Sequence, residues 1–392
     1  MPGSEKRGLT RRAEEVWQLE NYAVEMLHIT KRFPGIIAND DITLQLKKGE
    51  IHALLGENGA GKSTLMKCLF GMYNKDKGQI YLEGKEINFK SSKEALDNGV
   101  AMVHQELNQA LKRNVMDNIW LGRYPTKGIA VDEKKMYRDT MAVFKELDIN
   151  VDPYRVMSTM PVSQRQMVEI AKAVSYDARI IVLDEPTSSL NDREVEHLFR
   201  IIEKLWSRGC GIIYISHKME EILRISDDVS VMRDGKLITT EPAADMSIDK
   251  IIRLMVGREL TERFPPKINT PEDVALEVKS LSARYAPIKD VSFTVRRGEI
   301  VGIAGLGGAG RTELLETIFG LREKKSGSIL LHGREVQNNT TREAKKNGFA
   351  LLTEERRATG IFGILSITDN TVISGLSRYR EAGLFLNERK MK

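Results

Sequence analysis

Cysteine is scarce in this 392-residue sequence, which contains only Cys68 and Cys210. Two cysteines so far apart exclude a disulfide framework and argue against a shared zinc site, and such usage is typical of a reducing compartment. No run of about 18 apolar residues is present, so the sequence predicts no transmembrane helix. The first 24 residues carry no apolar core of the signal-peptide kind, and we interpret residues 1–24 as a solvated N-terminal extension.

A strong charge imbalance is also lacking. Sixty Lys and Arg residues against 55 Asp and Glu residues give a net charge of +5, which by itself does not indicate a nucleic-acid partner. A hydrophobic content of 41% with 29% charged residues is ordinary for a globular protein and excludes a disordered chain. The length predicts two or three domains.

An internal repeat organises the chain. The sequence KKGEI at residues 47–51 recurs as RRGEI at residues 296–300, and the same spacing relates Phe70-Gly71 to Phe319-Gly320. We therefore predict two homologous domains, at residues 25–256 and 274–392, joined by a proline-containing linker at residues 257–273. Because the second copy is much the shorter, we expect it to be incomplete, and whether Lys392 is a natural terminus stays open.

Three apolar runs predict the core of the first copy. Residues 51–55, 180–183 and 212–215 read as buried strands of a mainly parallel sheet, and each precedes a helical pattern. That alternation favours an α/β fold. Residues 106–175 are richer in helical spacing and predict a separate helical lobe.

A phosphate-binding loop follows the first of these strands. Residues 56–63 read GENGAGKS, which fits the pattern G-x-x-x-x-G-K-[ST] between a strand and a helix. The loop's backbone N–H groups are expected to surround phosphate oxygens, Lys62 to neutralise the β- and γ-phosphates, and Ser63 to bind Mg²⁺. The predicted nucleotide-binding residues here are Gly56, Asn58, Gly59, Gly61, Lys62, Ser63 and Thr64.

The second apolar run ends in two acids. Asp184 is positioned to place a carboxylate on the Mg²⁺ ion, and Glu185 to polarise the attacking water as a general base. An apolar strand that ends in acids is a weak signal alone and gains its meaning from the phosphate loop before it.

These segments resemble those of ATP-binding cassette (ABC) ATPases over about residues 26–392. Residues 184–190 (DEPTSSL) resemble the Walker B motif and D-loop, residues 103–106 (VHQE) the Q-loop, and residues 215–217 (ISH) the switch histidine. The resemblance implies P-loop NTPase cassettes in tandem, each with a mainly parallel sheet core, an antiparallel β subdomain and a helical lobe. It also implies that Gln105 senses the γ-phosphate and contributes to the metal site, that His217 contacts the γ-phosphate, and that Phe33 stacks on adenine.

An ABC site is composite, because the phosphate loop of one cassette faces the signature segment of another. The first-copy signature corresponds to residues 160–164 (MPVSQ), where Pro161 replaces a serine and leaves Ser163 and Gln164 to contribute backbone N–H groups. In the second phosphate loop the lysine position is Arg311, and Glu354 stands at the Q-loop position, so we expect weak hydrolysis there. The predicted nucleotide-binding residues of that loop are Gly305, Gly310, Arg311 and Thr312.

Three short runs resemble the sugar-importing branch of the family: residues 162–167 (VSQRQM), 215–221 (ISHKMEE) and 310–313 (GRTE). They are most similar to galactose/methyl-galactoside importers, with ribose and xylose importers similar. It implies an ATPase that acts with ATP and Mg²⁺ on the cytoplasmic face of the membrane, bound peripherally to integral membrane permease subunits. Its indirect partner would be a periplasmic or extracellular sugar-binding protein, and no nucleic acid is expected.

We expect the first cassette to form a homodimer in which each copy lends its signature to the other's Lys62. Two alternatives remain open at this point: a nucleotide-binding chain that does not hydrolyse ATP, and a soluble tandem ABC protein that acts on ribosomes.

Overall fold

The computed structural model describes residues 22–104, 109–188, 190–257, 268–306, 308–353, 359–381 and 385–391. The chain divides into two units, Met1–Arg263 and Phe264–Lys392. Most of the predicted N-terminal extension and of the predicted linker lie outside the described residues.

Twelve strands form the sheets in the described part of the first unit. They are β1 (Tyr22–Phe33), β2 (Ile36–Lys47), β3 (Ile51–Gly56), β4 (Lys77–Leu82), β5 (Lys85–Ile87), β6 (Val100–Val103), β7 (Thr126–Lys127), β8 (Ala130–Val131), β9 (Ile180–Asp184), β10 (Gly211–Ile215), β11 (Asp228–Arg233) and β12 (Lys236–Pro242).

The central sheet has the order β12-β11-β3-β10-β9-β6. Strand β10 pairs in parallel with β3 and β9, β11 pairs in parallel with β3, and β12 adds an antiparallel edge. Every residue of β3, β9 and β10 is buried, as expected for strands that are covered on both faces. The mainly parallel core predicted from the three apolar runs is therefore confirmed in this unit.

A second sheet, of order β2-β1-β4-β5, is antiparallel throughout. Its inward side chains, which include Met26, Ile29 and Ile42 at 0% exposure, share a hydrophobic cluster with Leu65 and Met66 of the helix that follows β3. The antiparallel subdomain thus packs directly against the helix that begins at the phosphate loop.

The helices of the first unit in its described residues are α1 (Lys62–Leu69), α2 (Ser92–Asp97), α3 (Val115–Ile119), α4 (Glu133–Leu147), α5 (Val162–Val174), α6 (Asp192–Trp206), α7 (Met219–Ile225) and α8 (Ile248–Val256), with single 3-10 turns at Met157–Thr159 and Ala243–Asp245. Side chains fix several of their starts. At α6, the Asn191 side chain accepts a hydrogen bond from the Glu194 backbone N–H, and the Glu194 carboxylate accepts one from the Asn191 backbone N–H. These two bonds form a capping box. Among the described helices, none is long and apolar enough to cross a membrane.

Helices α3, α4 and α5 make up the helical lobe. Phe144 and Leu147 of α4 are buried in one cluster with Val115 of α3 and with Met167 and Ile170 of α5. That cluster also contains residues of β3, β9 and β10, so the lobe and the parallel sheet share one continuous core.

The described part of the second unit contains β13 (Val274–Ala283), β14 (Val291–Arg296), β15 (Lys324–Leu331), β16 (Arg334–Glu335), β17 (Arg380–Glu381), β18 (Phe385–Leu386), α9 (Arg311–Ile318), α10 (Thr341–Lys346), α11 (Ile367–Val372) and α12 (Glu388–Met391), with a 3-10 segment at Ile373–Tyr379. Helices α9 and α10 lie at the positions that the internal repeat predicts from α1 and α2. The antiparallel sheet β14-β13-β15-β16 likewise repeats the small sheet of the first unit.

In one respect the second unit differs from the expected tandem design. All strand pairs among its described residues are antiparallel, and residues 300–305, the counterpart of β3, form no strand there. In the first unit β3 is held by hydrogen bonds to β10 and β11, and the described part of the second unit has no equivalent of either. Without those partners, Ile300 and Val301 are 95% and 39% exposed.

A buried polar network ties β3 to β11. The His52 Nδ1 atom lies 2.7 Å from the Glu50 carboxylate and its Nε2 atom 2.8 Å from the Ser230 hydroxyl. Glu50, His52 and Asp228 also lie close enough together to be a candidate metal-ligating group. Because both imidazole nitrogens already have partners within the protein, we interpret the network as structural.

Candidate functional site

The predicted site residues of the first unit lie at one edge of the parallel sheet. Strand β3 ends at Gly56, β9 at Asp184 and β10 at Ile215, and these three strands are neighbours in the order β3-β10-β9. The carboxyl ends of parallel strands are where open α/β sheets bind ligands. The fold thus brings together the phosphate loop, the acidic pair and the switch histidine from three separate parts of the sequence.

The phosphate loop turns directly into α1. Gly61 is the N-cap of that helix with φ 99°, a left-handed conformation that glycine adopts without strain. The Lys62 ammonium donates to the carbonyl oxygens of Gly56 and Glu57 at 2.7 and 3.0 Å, so it lies within the loop. Burial lowers the pKa of Lys62, while the carboxylates of Asp184 and Glu185 oppose that shift.

Asn39 supports this loop from the antiparallel sheet. Its side chain is completely buried, and its Nδ2 atom donates to the Gly61 carbonyl at 3.0 Å. A Cβ atom at Gly61 would lie 2.2 Å from the Ala38 carbonyl oxygen and 2.6 Å from the Asn39 Nδ2 atom. Strand β2 and the loop are therefore in contact, and the position requires glycine for its space as well as for its conformation.

Oxygen ligands for a divalent cation lie between α1 and β9. The Ser63 hydroxyl donates to Asp184 Oδ2 at 3.4 Å, and the exposed Ser63 side chain stands at the mouth of the site. Burial, and then the negative charge of Glu185, raise the pKa of Asp184. A buried carboxylate beside a hydroxyl is the hard-oxygen donor set that Mg²⁺ prefers, so these residues fit that ion.

Glu185 follows Asp184 and adopts an uncommon backbone conformation. Its φ of 49° is left-handed, and its N–H donates to the Ile215 carbonyl at 2.8 Å. Its carboxylate Oε1 atom lies 3.2 Å from His217 Nδ1. The acid and the histidine thus lie as a pair at the ends of β9 and β10.

The remaining predicted nucleotide residues of the first unit surround this centre. Asn58 and Gly59 are exposed in the loop, and Thr64 is half-buried in the first turn of α1. Phe33 is the last residue of β1. Its ring packs edge-on against that of Tyr73, with 5.4 Å between the ring centroids. Gln105 lies outside the described residues.

The signature segment begins α5. Pro161 is the N-cap of that helix and offers no side-chain hydrogen bond, while Gln164 accepts from Arg155 at 3.2 Å. In the described ranges, no hydrogen bond or ion pair joins residues 160–164 to the phosphate loop of the same chain.

The second phosphate loop is followed by a helix, as the first is, but it is not preceded by a strand. Gly310 is the N-cap of α9 with φ 89°, and Arg311 and Thr312 are exposed in its first turn. Gly305 precedes them in a segment that forms no strand. Gly307 and Glu354 lie outside the described residues.

Several residues that the motifs did not single out contact the site. These are Asn39 beneath the phosphate loop, and Gln166, Thr187, Tyr214, Lys218 and Glu221 around the turn after Glu185. Thr187 stands inside the segment 184–190, and Lys218 and Glu221 come within four residues after His217, which was the available sequence signal. For Asn39 no sequence signal was available, because its role depends on the contact between β2 and α1.

Comparison with protein families gives a match to the model described as ABC transporter, over residues 39–188 and 288–390. The chain is 62% identical to the galactose/methyl galactoside import ATP-binding protein MglA of Clostridium perfringens, over 94% of this chain and 72% of that protein. The proteins of the same name from Fusobacterium nucleatum and Escherichia coli are 60% and 58% identical, each over 95% of this chain and 74% of the relative.

Solved structures agree on the fold. A nucleotide-free ATP-binding cassette from an ABC transporter superposes with a TM-score of 0.53 at 22% identity, covering 60% of this chain and 96% of that one. The dimeric bacterial ABC transporter cassette MJ0796 superposes with a TM-score of 0.50 at 20% identity, covering 56% of this chain and 98% of that one.

Proposed function

Because the chain belongs to the ABC transporter family, we propose that it is the ATP-binding and ATP-hydrolysing subunit of a galactose or methyl galactoside importer. One observation carries the hydrolytic part: the fold places Lys62, Asp184, Glu185 and His217 at the adjoining carboxyl ends of three parallel strands. The sugar part follows from the names of the relatives, which match nearly the whole chain.

The chain's residues divide the work of hydrolysis. The N–H groups of the phosphate loop and the Lys62 ammonium bind the β- and γ-phosphates and offset their charge. Ser63 and Asp184 would hold a Mg²⁺ ion, which would supply further charge neutralisation. The Glu185 carboxylate accepts a proton from the attacking water, which is typically worth about 10²–10⁴-fold in rate. His217 orients that carboxylate from 3.2 Å away.

The signature that completes this site comes from a second cassette. We expect two first cassettes to associate so that α5 of each faces the Lys62 loop of the other. Because Pro161 stands where the family has a serine hydroxyl that binds phosphate, binding of the signature to the γ-phosphate is weakened by about 1.5–3 kcal/mol per site. The backbone N–H groups of Ser163 and Gln164 remain available for that contact.

A groove beside α1 is the proposed docking site for a permease on the cytoplasmic face of the membrane. Its cavity of about 270 Å³ is lined by Phe70, Met72, Leu96, His104, Glu169 and Lys172. Met72 is 48% exposed, and burial raises the pKa of Glu169. A largely apolar lining that also carries the Glu169 acid and the Lys172 base suits a short amphipathic helix. Met72→Asp should therefore release the chain from permease-containing membranes, and Ile129→Asp, on the β7–β8 hairpin, serves as the control.

Hydrolysis of Mg-ATP at increasing concentrations of the full chain tests the central proposal. We expect the rate to rise more than linearly with concentration, since two cassettes build each site. Glu185→Gln should abolish turnover and retain nucleotide binding, whereas Glu220→Gln, an exposed isosteric change near His217, should leave the rate unchanged. A rate per chain that is independent of concentration would contradict association in trans. Nucleotide binding without any hydrolysis would instead favour a purely nucleotide-binding role.

A further inference from the structure

The turn that follows Glu185 is held from two sides. Glu185 has the left-handed φ of 49°, a conformation that a residue with a side chain keeps only where its surroundings hold it. The next residues, Pro186 and Thr187, are both buried, and Thr187 is only 2% exposed. Whatever fixes this turn also fixes the direction of the Glu185 carboxylate.

The switch loop holds one side. The Lys218 ammonium donates to the Thr187 carbonyl at 3.1 Å and pairs with Glu221 Oε1 at 3.0 Å. Glu221 Oε2 accepts from the Thr187 hydroxyl at 2.7 Å and from the Tyr214 hydroxyl at 2.9 Å. Burial, and then the negative charge of Glu221, raise the pKa of Tyr214, so the phenol remains a donor. One carboxylate thus joins β10, the switch loop and the turn.

The signature helix holds the other side. Gln166 lies two residues after the signature segment on α5, is 4% exposed, and donates from Nε2 to the Pro186 carbonyl. This bond joins the helical lobe to the residue next to Glu185. The signature helix is therefore linked to the turn through one buried amide.

We propose that Gln166, Lys218 and Glu221 are positioning residues for ATP hydrolysis: together they hold the Pro186–Thr187 turn so that the Glu185 carboxylate stays in register with His217. This inference rests on the proposed function of the Lys62 site. Lys218 adjoins His217 in sequence, so the same loop that carries the histidine also clamps the turn. Displacement of a reacting group by about 1 Å can reduce a rate about 10²-fold, so a small movement here is sufficient.

Steady-state kinetics of the full chain test the clamp. Glu221→Gln keeps the shape of the side chain but weakens its bonds to Lys218, Thr187 and Tyr214. We expect kcat to fall about 10- to 100-fold, with KM for ATP within about twofold of the unmodified chain, because the phosphate loop is not altered. Glu196→Gln is the matched control. It removes an acid whose ion pair with Arg224 joins α6 to α7 at the surface, and its kcat should not change.

Hydrogen exchange gives a second readout that does not depend on turnover. The Glu185 N–H donates to Ile215 and the Ser188 N–H to Glu185. In the nucleotide-free chain, Glu221→Gln should speed exchange in peptides that contain these two amides by about tenfold, while Glu196→Gln should not. Should Glu221→Gln fail to fold, Tyr214→Phe removes a single hydroxyl from the same carboxylate and carries the same test.

The outcomes separate the clamp from a merely structural role. Unchanged exchange at these amides, or kcat, KM and the melting temperature falling together, would overturn the inference. An unmodified chain that binds ATP without hydrolysing it, while exchange still responds to Glu221→Gln, would remove the proposed function and leave the clamp in place.

Discussion

Substitution of Gly61 by alanine should unfold the first unit far more readily than the same change at Gly59. Both glycines lie in the phosphate loop with left-handed φ angles, 99° and 88°. A Cβ atom at Gly59 would have no heavy atom within 4 Å, whereas at Gly61 it would lie 2.2 Å from the Ala38 carbonyl oxygen. Alanine at either position therefore pays the same cost for its left-handed backbone conformation. The two positions differ only in the space available for the added Cβ atom.

The expected difference follows from these contacts. The left-handed conformation costs alanine about 1–2 kcal/mol at either position. At Gly61 the loop must also move away from β2 by roughly 1 Å to reach ordinary van der Waals separation. That movement breaks the buried hydrogen bond from Asn39, which adds about 1–3 kcal/mol. Gly61→Ala should thus lose about 1–3 kcal/mol more than Gly59→Ala.

Urea unfolding in the absence of nucleotide, followed by tryptophan fluorescence, measures this difference. Trp17, Trp120 and Trp206 are the three tryptophans of the sequence, and none lies in the second unit, so the signal does not report on that unit. Equal losses for the two variants, within about 0.5 kcal/mol, would refute the steric argument. The inference that the phosphate loop is held against β2 at Gly61 would then be wrong.

Three further predictions concern the same site. Because burial raises the pKa of Asp184, its ionisation opposes folding; Asp184→Asn should raise the melting temperature of the nucleotide-free chain at pH 7, and this gain should vanish as the pH falls through the raised pKa towards 3.8. A gain that is constant with pH would contradict that cause. Pro161→Ser should add a side-chain cap to α5 and stabilise the chain by about 1 kcal/mol, whereas Pro161→Ala should not, as urea unfolding would show. Phe33→Ala should weaken ATP binding about five- to tenfold by calorimetry through loss of a stacking ring, and Phe33→Tyr should preserve it; equal affinities for both would exclude stacking.

Much of the fold was predictable from local sequence. The runs at residues 51–55, 180–183 and 212–215 are buried strands because each is apolar throughout, and the glycines, Lys62 and Ser63 of the phosphate loop lie between a strand and a helix as the motif requires. The repeat predicted α9 and α10 from α1 and α2. Family membership also followed from these motifs, since each is a short run of adjacent residues.

The expectation of a parallel core in the second copy illustrates the limit of such reasoning. Residues 300–305 are as apolar as their counterparts in β3, yet in the described part of the chain they form no strand. A parallel strand depends on hydrogen bonds to neighbours that are distant in sequence, so its own residues do not determine whether it forms.

The sequence by itself determined which chemical groups this protein carries and the order in which they occur: a phosphate loop, an acidic pair, a signature and a histidine. Only the tertiary structure decided which groups meet. The strand order β3-β10-β9 brings Lys62, Glu185 and His217 to one edge, and packing against that edge recruits Asn39 and Gln166. The physical reason is that local motifs follow from neighbouring residues, whereas contacts between elements follow from how buried faces fit together.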